Sequence, residues 1–597
     1  MTGQKPVLIY DGRCSFCKIW IDYWKQLTGE RIEYRASQDL EGAFPEIPRQ
    51  QFSKSLVFVR GDGSFAAGAR AVFESLGMRA TYERNRVFAW LSERFYSIVA
   101  AHRDFFYWAT RLTFGTRIRP TSFAATQWIF LRALAAIYAI AFGSLGVQIK
   151  GLVGEHGISP AAQYLQAVAQ QTGPEHWYIL PTIFWWDSTD RMLVFACWAG
   201  VAFAALLFFG YLEKLMLIFL FALYLSLSSA GQEFLGYQWD ALLLETGFLA
   251  IFLGRATIVD WLFRWLVFRL NFLSGSVKLL SGDPTWHHLT AMDYHYHTQP
   301  LPTVLAWFAD KLPHGLQSFS TFMVLAIELG APFLIFMPRR LRLTGAWSII
   351  GLQVMILLTG NYTFFNWLTI ALCLFLFDDR SLARFAPRRV IERVRPKMGR
   401  WARAGIAIFA GFIVLLGVGR IIEAFTGDAP EPLKLLVRVT SPLEIVNSYG
   451  LFAVMTTTRP EIIVEGSRDG ENWEPYMFRY KPGPLNRAPG WIAPFQPRLD
   501  WQMWFAALGT YRQNVWFVSF AARLLEGSKD VEALLARNPF PDRPPRYIRA
   551  MVYEYSFTDW ATLRRTGDWW KREPLGAYLP PIGLRANAAL LPASSLN

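Results

Sequence analysis

The chain has 597 residues, 53% of them hydrophobic and 16% aromatic, with 25 Trp, 48 Phe and a formal net charge of +14. The basic residues stand beside apolar runs, where positive charge sets membrane topology, so the charge does not point to nucleic acid. Four cysteines are too few for a disulfide framework, and the length allows three or four domains.

Residues 6 to about 110 read as a soluble α/β domain. Pro6–Tyr10 is a short apolar strand, followed by Asp11-Gly12-Arg13-Cys14-Ser15-Phe16-Cys17 and a helical run over Lys18–Leu27. A strand leading into Cys-x-x-Cys at a helix start is a thioredoxin-like redox arrangement. The unpaired N–H groups of the helix start stabilise a thiolate, so Cys14 would attack and Cys17, one turn on, would resolve the mixed disulfide. Inert thiols and a metal site are the alternatives, although one Cys-x-x-Cys without a second ligand pair is a poor zinc site. A second strand is expected at Ser55–Arg60, a turn at Gly61-Asp62-Gly63 and a helix over Ala66–Leu76; Pro48 is the candidate for a cis-proline facing the cysteines. The motif Tyr10-Asp-Gly-Arg-Cys-Ser-Phe-Cys17 resembles the DCC family of thiol-disulfide oxidoreductases, over about 110 residues. That resemblance implies Cys14, Cys17 and Asp11 as catalytic residues, a dithiol/disulfide in place of any cofactor, and a cytoplasmic thiol reductant as partner. Met1–Tyr10 has no apolar signal core, which predicts a cytoplasmic N-terminus.

The block from about Thr126 to Phe425 predicts a polytopic helical membrane domain, since a helix needs about 20 mostly apolar residues to cross the hydrocarbon. Nine segments qualify: Gln127–Val147, Arg191–Gly210, Lys214–Ala230, Trp239–Gly254, Ile258–Leu279, Leu316–Met337, Leu341–Thr359, Tyr362–Phe377 and Trp401–Ile421. Basic residues gather in alternate connections, at Arg117–Arg119, Glu213–Lys214, Arg255, Pro338–Arg342 and Asp378–Arg400. Short-loop Lys and Arg of this kind mark the cytoplasmic side and put the chain from about Glu423 outside. Trp239–Gly254, short and carrying Asp240 and Glu245, decides the parity.

Three polar stretches interrupt the block: Gly231–Asp240, Asn271–Leu280 and Gly282–Pro302. Ionisable groups at membrane depth are costly and face a partner or a wet cavity. Glu233, Asp240, Glu245, Arg269 and Lys278 are therefore expected to pair inside the bundle, with Asp293 and His295 as further members of a polar cluster. His295 and His297 would share a face on a strand, but an outside loop makes them interfacial side chains and no metal is expected.

Beyond the block, Glu461–Gly466 and Trp473–Lys481 are strand-like about an Asp-Gly turn. Asp500 is a cap for a helix over Trp501–Leu508, with Ser528 a second cap. Val515–Leu525 and Lys529–Ala536 read as helical, Tyr547–Phe557 as a strand, and Pro580–Pro581 as a boundary. Trp491, Trp501, Trp504, Trp569 and Trp570 are expected in a core. There is no histidine after His314, which excludes a hydrolase with a local histidine base in this region.

Several long motifs in one order resemble the lipase maturation factor family over about residues 120–580. They are Phe234-Leu-Gly-Tyr-Gln-Trp-Asp-Ala-Leu-Leu-Leu-Glu245, Lys278–Trp286, Tyr294-His-Tyr-His-Thr-Gln-Pro-Leu-Pro302, Asn447-Ser-Tyr-Gly-Leu-Phe452, Met455–Ile463 and Gln496–Leu508. His297 departs from the pattern, which implies Glu there. The resemblance implies a membrane-embedded maturation factor that helps exported clients such as lipases to fold and assemble, with Arg498, Asp500, Trp501 and Trp504 as a candidate extracytoplasmic motif. The expected layout is a thioredoxin-like domain over 1–115, a helical membrane domain over 124–425 and a mixed β/α extracytoplasmic domain over 426–597. The location implied is a bacterial inner membrane, or the endoplasmic reticulum membrane in a eukaryote. Two alternatives place the function elsewhere: a tethered thiol-disulfide oxidoreductase at Cys14 and Cys17, or a carboxylase-like membrane enzyme with a site among Lys278, His295 and Glu245.

Overall fold

The computed structural model describes residues 5–40, 43–116, 118, 121–254, 256–392, 398–584 and 590–592. Arg117, Arg119, Arg255, Arg393, Arg395 and Lys397, part of the charge bias above, lie outside the described residues. The chain divides into two compact units, Met1–Ser122 with Phe336–Thr344, and Phe123–Ile335 with Gly345–Asn597.

In the first unit, β1 (Val7–Tyr10) leads into helix Ser15–Thr28 and returns as β2 (Glu33–Ala36), parallel to it. β3 (Val57–Val59) pairs antiparallel with β1, and β4 (Phe65–Ala67) with β3, in the order β2-β1-β3-β4. Alternation along β1 explains why this sheet is covered on both faces. Val7 and Ile9 pack with Phe52, Val57 and Val59, while Leu8 packs with Ile21, Phe58 and Ala71. The turn after β3 is a hairpin turn: Arg60 N–H donates to Ser64 O, and Gly63 holds a φ of 86°, which favours glycine. The helix that follows, Gly68–Ser75, starts later than the sequence suggested, because Phe65–Ala67 is taken into the sheet. The one cis peptide bond among the described residues is Ala493–Pro494; Pro48 instead precedes the short helix Arg49–Lys54.

The second unit makes the chain a polytopic helical membrane protein. Six helices among the described residues are long and apolar enough to cross: Ala124–Gly146, Asp190–Phe209, Glu213–Ala230, His314–Leu334, Arg339–Thr359 and Arg400–Thr426. They coincide with six of the nine expected segments. The other three differ for physical reasons. Gln238–Ala250 has 13 residues, a rise of about 20 Å. The helix after Tyr362 is also short, Phe365–Leu376. Thr257–Leu280 is 24 residues long but carries Asp260, Arg264, Arg269 and Lys278, all buried.

The C-terminal part of this unit is a five-stranded sheet with Tyr547–Phe557 (β9) at its centre. β5 (Pro460–Ser467) and β10 (Trp570–Leu584) flank it antiparallel, and β11 (Leu590–Pro592) and β6 (Glu474–Pro475) form the edges. The expected strand Trp473–Lys481 is broken: after β6, β7 (Met477–Phe478) leaves to pair with β8 (Leu535–Arg537). Pro580–Pro581 sits inside β10 and does not mark a boundary; the register slips there, as prolines that cannot donate require. The helix expected to run to Ala536 stops at Glu532, because Leu535 enters β8.

Candidate functional site

The polar residues of the helical segment find their partners largely in the C-terminal segment of the same unit. Helix Arg498–Ala507 delivers the fully buried Arg498 to Asp240 near the start of helix Gln238–Ala250. Its two terminal nitrogens donate to the two carboxylate oxygens at 3.0 and 2.9 Å, a forked pair. Arg498 Nη1 also donates to Phe234 O at 2.5 Å, the Tyr224 hydroxyl donates to Asp240, and Gln148 Oε1 accepts from Arg498 N–H at 2.9 Å. Aromatic rings close the site: Trp239 stacks on Tyr237 at 4.5 Å and meets the edge of Trp501 at 4.8 Å. Charges buried to this degree persist only when paired.

A second node lies on Glu245. One oxygen pairs with Arg269; the other accepts from Asn447 N–H at 2.9 Å and the Tyr449 hydroxyl at 2.8 Å. Arg269 also donates to Asn447 O at 2.9 Å. A third node is Arg459, fully buried, which donates to the carbonyls of His297, Gln299 and Pro300 and to Glu461. The Asn-Ser-Tyr-Gly, Arg-Pro-Glu and Gln-Pro-Arg-Leu-Asp-Trp motifs thus hold the β-rich segment onto the helices through buried ion pairs and backbone caps. Glu233 stands apart, accepting from Ser159 Oγ at 2.6 Å.

Asp500 does not cap its helix. The helix begins at Arg498, so Asp500 falls in the first turn, where Oδ1 accepts from Tyr480 and Lys481 N–H, both at 2.9 Å. Burial raises its pKa against those hydrogen bonds. Trp501 and Trp504 are buried, and Trp504 Nε1 donates to Thr298 O at 2.8 Å. Of the five tryptophans expected in a core, Trp491 is the exception, 57% exposed.

Lys278 pairs with a residue the sequence reading missed, Glu328. Its Nζ donates to the two carboxylate oxygens at 2.8 and 3.1 Å and to Ser274 O at 3.1 Å. The signal was present: Glu328 is the single charge in a 21-residue apolar helix, His314–Leu334. The pair lines a cavity of about 570 Å³ together with His295, Tyr362 and Asn366; Glu245 is not among its walls. His295 and His297 lie on helix Ala291–Thr298 and not on a strand, so two residues of spacing sends them apart. His297 meets Asp310 at 2.8 Å, and Asp293 meets His314 at 2.9 Å. Burial, reinforced by Lys278 and His297, holds the His295 pKa down at about 4. No group of three or more His, Cys, Asp or Glu that could hold a metal occurs among the described residues.

In the first unit, Cys14 is the N-cap of helix Ser15–Thr28, its sulfur accepting from Cys17 N–H at 3.2 Å and from the Cys17 thiol at 2.7 Å. The thiol hydrogen bond outweighs burial and, with the backbone N–H and Arg103, brings the Cys14 pKa down to about 6. The same hydrogen bond and burial push Cys17 up. Although burial works against it, Asp11 is held below the usual carboxylate range by Arg13 N–H and Gln38, and lies 3.7 Å from Arg103. A cavity of about 320 Å³ adjoins Cys17, Asp11 and Arg103.

Residues 125–384 match the lipase maturation factor transmembrane domain, and residues 445–580 match the lipase maturation factor C-terminal domain. Lipase maturation factor 2 of Xenopus laevis is 36% identical over 585 residues, covering 76% of this chain and 82% of its own. Lipase maturation factor 1 of Mus musculus is 36% identical over 515 residues, covering 78% and 89%. Lipase maturation factor 2 of Homo sapiens is 34% identical over 585 residues, covering 76% and 82%. No solved structure matches.

Proposed function

The chain belongs to the lipase maturation factor family, and from that premise we infer that it is a membrane-embedded maturation factor for exported lipases or clients of similar build. The observation that carries the reading is the way the family motifs are spent. Arg498, Asn447 and Arg459 fasten the β-rich segment to the helices through Asp240, Glu245 and the Pro300 carbonyl. A rigid platform of this kind acts by binding client surface that folding later buries, because a ligand shifts an equilibrium only by its differential affinity for the two states. In this reading the N-terminal unit faces the cytoplasm and the β-rich segment faces the exported client, across a bacterial inner membrane or that of the endoplasmic reticulum. The test is a deletion strain in which secreted lipase mass and specific activity are measured separately. Specific activity should fall with mass retained, and normal specific activity would discard the role.

A second reading rests on Cys14 and Cys17. Supporting it are the strand order β2-β1-β3-β4, which a thioredoxin-like DCC domain would need, and the lowered Cys14 pKa, which suits an attacking thiolate. Cys14 would attack a partner disulfide, forming a mixed disulfide and expelling one thiolate. Cys17 would then lose its proton, attack Cys14 Sγ and release the second thiol. The partner gains two electrons, and the resulting Cys14–Cys17 disulfide is returned to the dithiol by a thiol reductant. Cys14→Ser separates the readings: client maturation survives under the first and fails under the second.

A further inference from the structure

The cavity beside Lys278 is not accounted for by the clamps described above. Its volume of about 570 Å³ lies within the range of small-molecule sites. Most of the wall is apolar, and Phe319, Trp347 and Met355, which line it, are also 59%, 62% and 60% exposed. These three belong to His314–Leu334 and Arg339–Thr359, two helices long and apolar enough to cross a membrane. The mouth therefore opens sideways between two spans, toward hydrocarbon.

The polar end is neutral and asks for hydrogen-bond donors. Lys278 spends its three donors on Glu328 and Ser274 O, so the pair offers no free positive charge. The Gln299 amide nitrogen donates to Tyr296 O and Thr359 O, which leaves Oε1 to accept the Tyr362 hydroxyl at 3.1 Å. The Tyr362 oxygen then accepts from His295 Nε2 at 3.4 Å, so Nε2 carries the imidazole proton and Nδ1 is a bare lone pair without a partner. Asn366 Nδ2 donates to Gln353 Oε1 at 2.7 Å, and Asn366 Oδ1 has no partner. His295 is 9% exposed and Asn366 1%. Two buried acceptors without donors stand in the wall of one apolar cavity, and buried polar groups are seldom left so.

We propose that this cavity binds a neutral lipid with free hydroxyls, a monoacylglycerol, taken laterally from the bilayer, with its acyl chain along the apolar wall and its two hydroxyls donating to His295 Nδ1 and Asn366 Oδ1. A fatty-acid carboxylate brings acceptors and a charge that nothing at this end neutralises. A phospholipid brings the same unmet charge. The low pKa of His295 keeps the imidazole neutral at physiological pH, in the form that accepts.

The test uses the purified full chain in lipid nanodiscs and a monooleoylglycerol with a diazirine in its acyl chain and an alkyne for detection. Irradiation should label peptides from His314–Leu334 and Arg339–Thr359, and excess 1-oleoylglycerol, but not oleate, should compete. His295→Phe and Asn366→Leu should each weaken competition about tenfold, the worth of one good hydrogen bond. Gly351→Leu guards against misfolding as the explanation: Gly351 lines the cavity, an added Cβ there meets nothing within 4 Å, and the side chain should occlude the site while the helix persists. Labelling that oleate competes equally, or that survives Gly351→Leu and both acceptor variants, would overturn the proposal.

Discussion

Arg498 ties the C-terminal segment to the helices through several groups at once. Within hydrogen-bond distance it gathers both oxygens of Asp240, the Phe234 carbonyl and the Tyr224 hydroxyl, with no exposure to solvent. Removing one partner of such a pair leaves an uncompensated buried charge, so Arg498→Ala should cost about 3–5 kcal/mol. Arg498→Lys keeps the charge but loses the planar fork, and should fail to restore thermal stability in detergent or abundance in the membrane. At Cys14 the prediction is a reactivity profile. The thiolate is the nucleophile, so the rate of alkylation by iodoacetamide should hold steady above the pKa of about 6 and fall as pH drops through it. Cys17→Ala removes the thiol hydrogen bond that does most to lower this pKa, and the midpoint should climb toward that of an ordinary thiol.

At the scale of elements, close helix approach is set by small residues. A Cβ on Gly275, in helix Thr257–Leu280, would stand 2.9 Å from Glu328 Cβ and 3.0 Å from Leu329 Cγ. Both neighbours are anchored near the backbone of His314–Leu334, so neither yields cheaply. Gly275→Ala should cost about 1–3 kcal/mol by overpacking and loosen the Lys278–Glu328 pair. Gly351→Ala, which meets open space, should leave thermal stability unchanged or raised, since alanine is the better helix former. These crossings also explain what could be read in the sequence. Six spans were legible because length and apolarity are local properties. The strand Tyr547–Phe557 was legible for the same reason, and appears with the expected bounds. The partners were not local. The arginine that meets Asp240 lies 258 residues away in sequence, and spacing shows only that Asp500 stands near a helix start, not that the helix opens two residues before it. Glu245 meets Arg269 within the helices, and only the fold adds Asn447 and Tyr449 to them.

For the molecule as a whole, the number of crossings decides which compartments the two ends share. Six crossings would return both ends to one side. Thr257–Leu280 argues for a seventh: its 24 residues rise about 36 Å, more than the hydrocarbon thickness of about 30 Å. Its charge, which disqualifies it on composition, is met inside the protein. Gln127 donates to Asp260, Arg264 donates to Phe375 O, Arg269 meets Glu245, and Lys278 meets Glu328. Gln238–Ala250 and Phe365–Leu376 are too short to cross alone. Without them, however, 281–313 would fall on the side opposite the β-rich segment, whose Arg459 holds the carbonyls of His297, Gln299 and Pro300. Counted with the irregular residues beside them, they bring the crossings to nine. An odd count, as expected from the basic connections, would put Cys14 and the β-rich segment in different compartments, which is the arrangement proposed above. The native cysteines make this measurable, because Cys197 and Cys373 are buried while Cys14 and Cys17 are partly exposed. On sealed vesicles, an impermeant maleimide should reach either Cys14 or a cysteine placed at the exposed turn residue Glu471 in a Cys14→Ser, Cys17→Ser background. The other should react only after lysis. Reaction of both before lysis would mean an even number of crossings, and would put the dithiol within direct reach of exported clients.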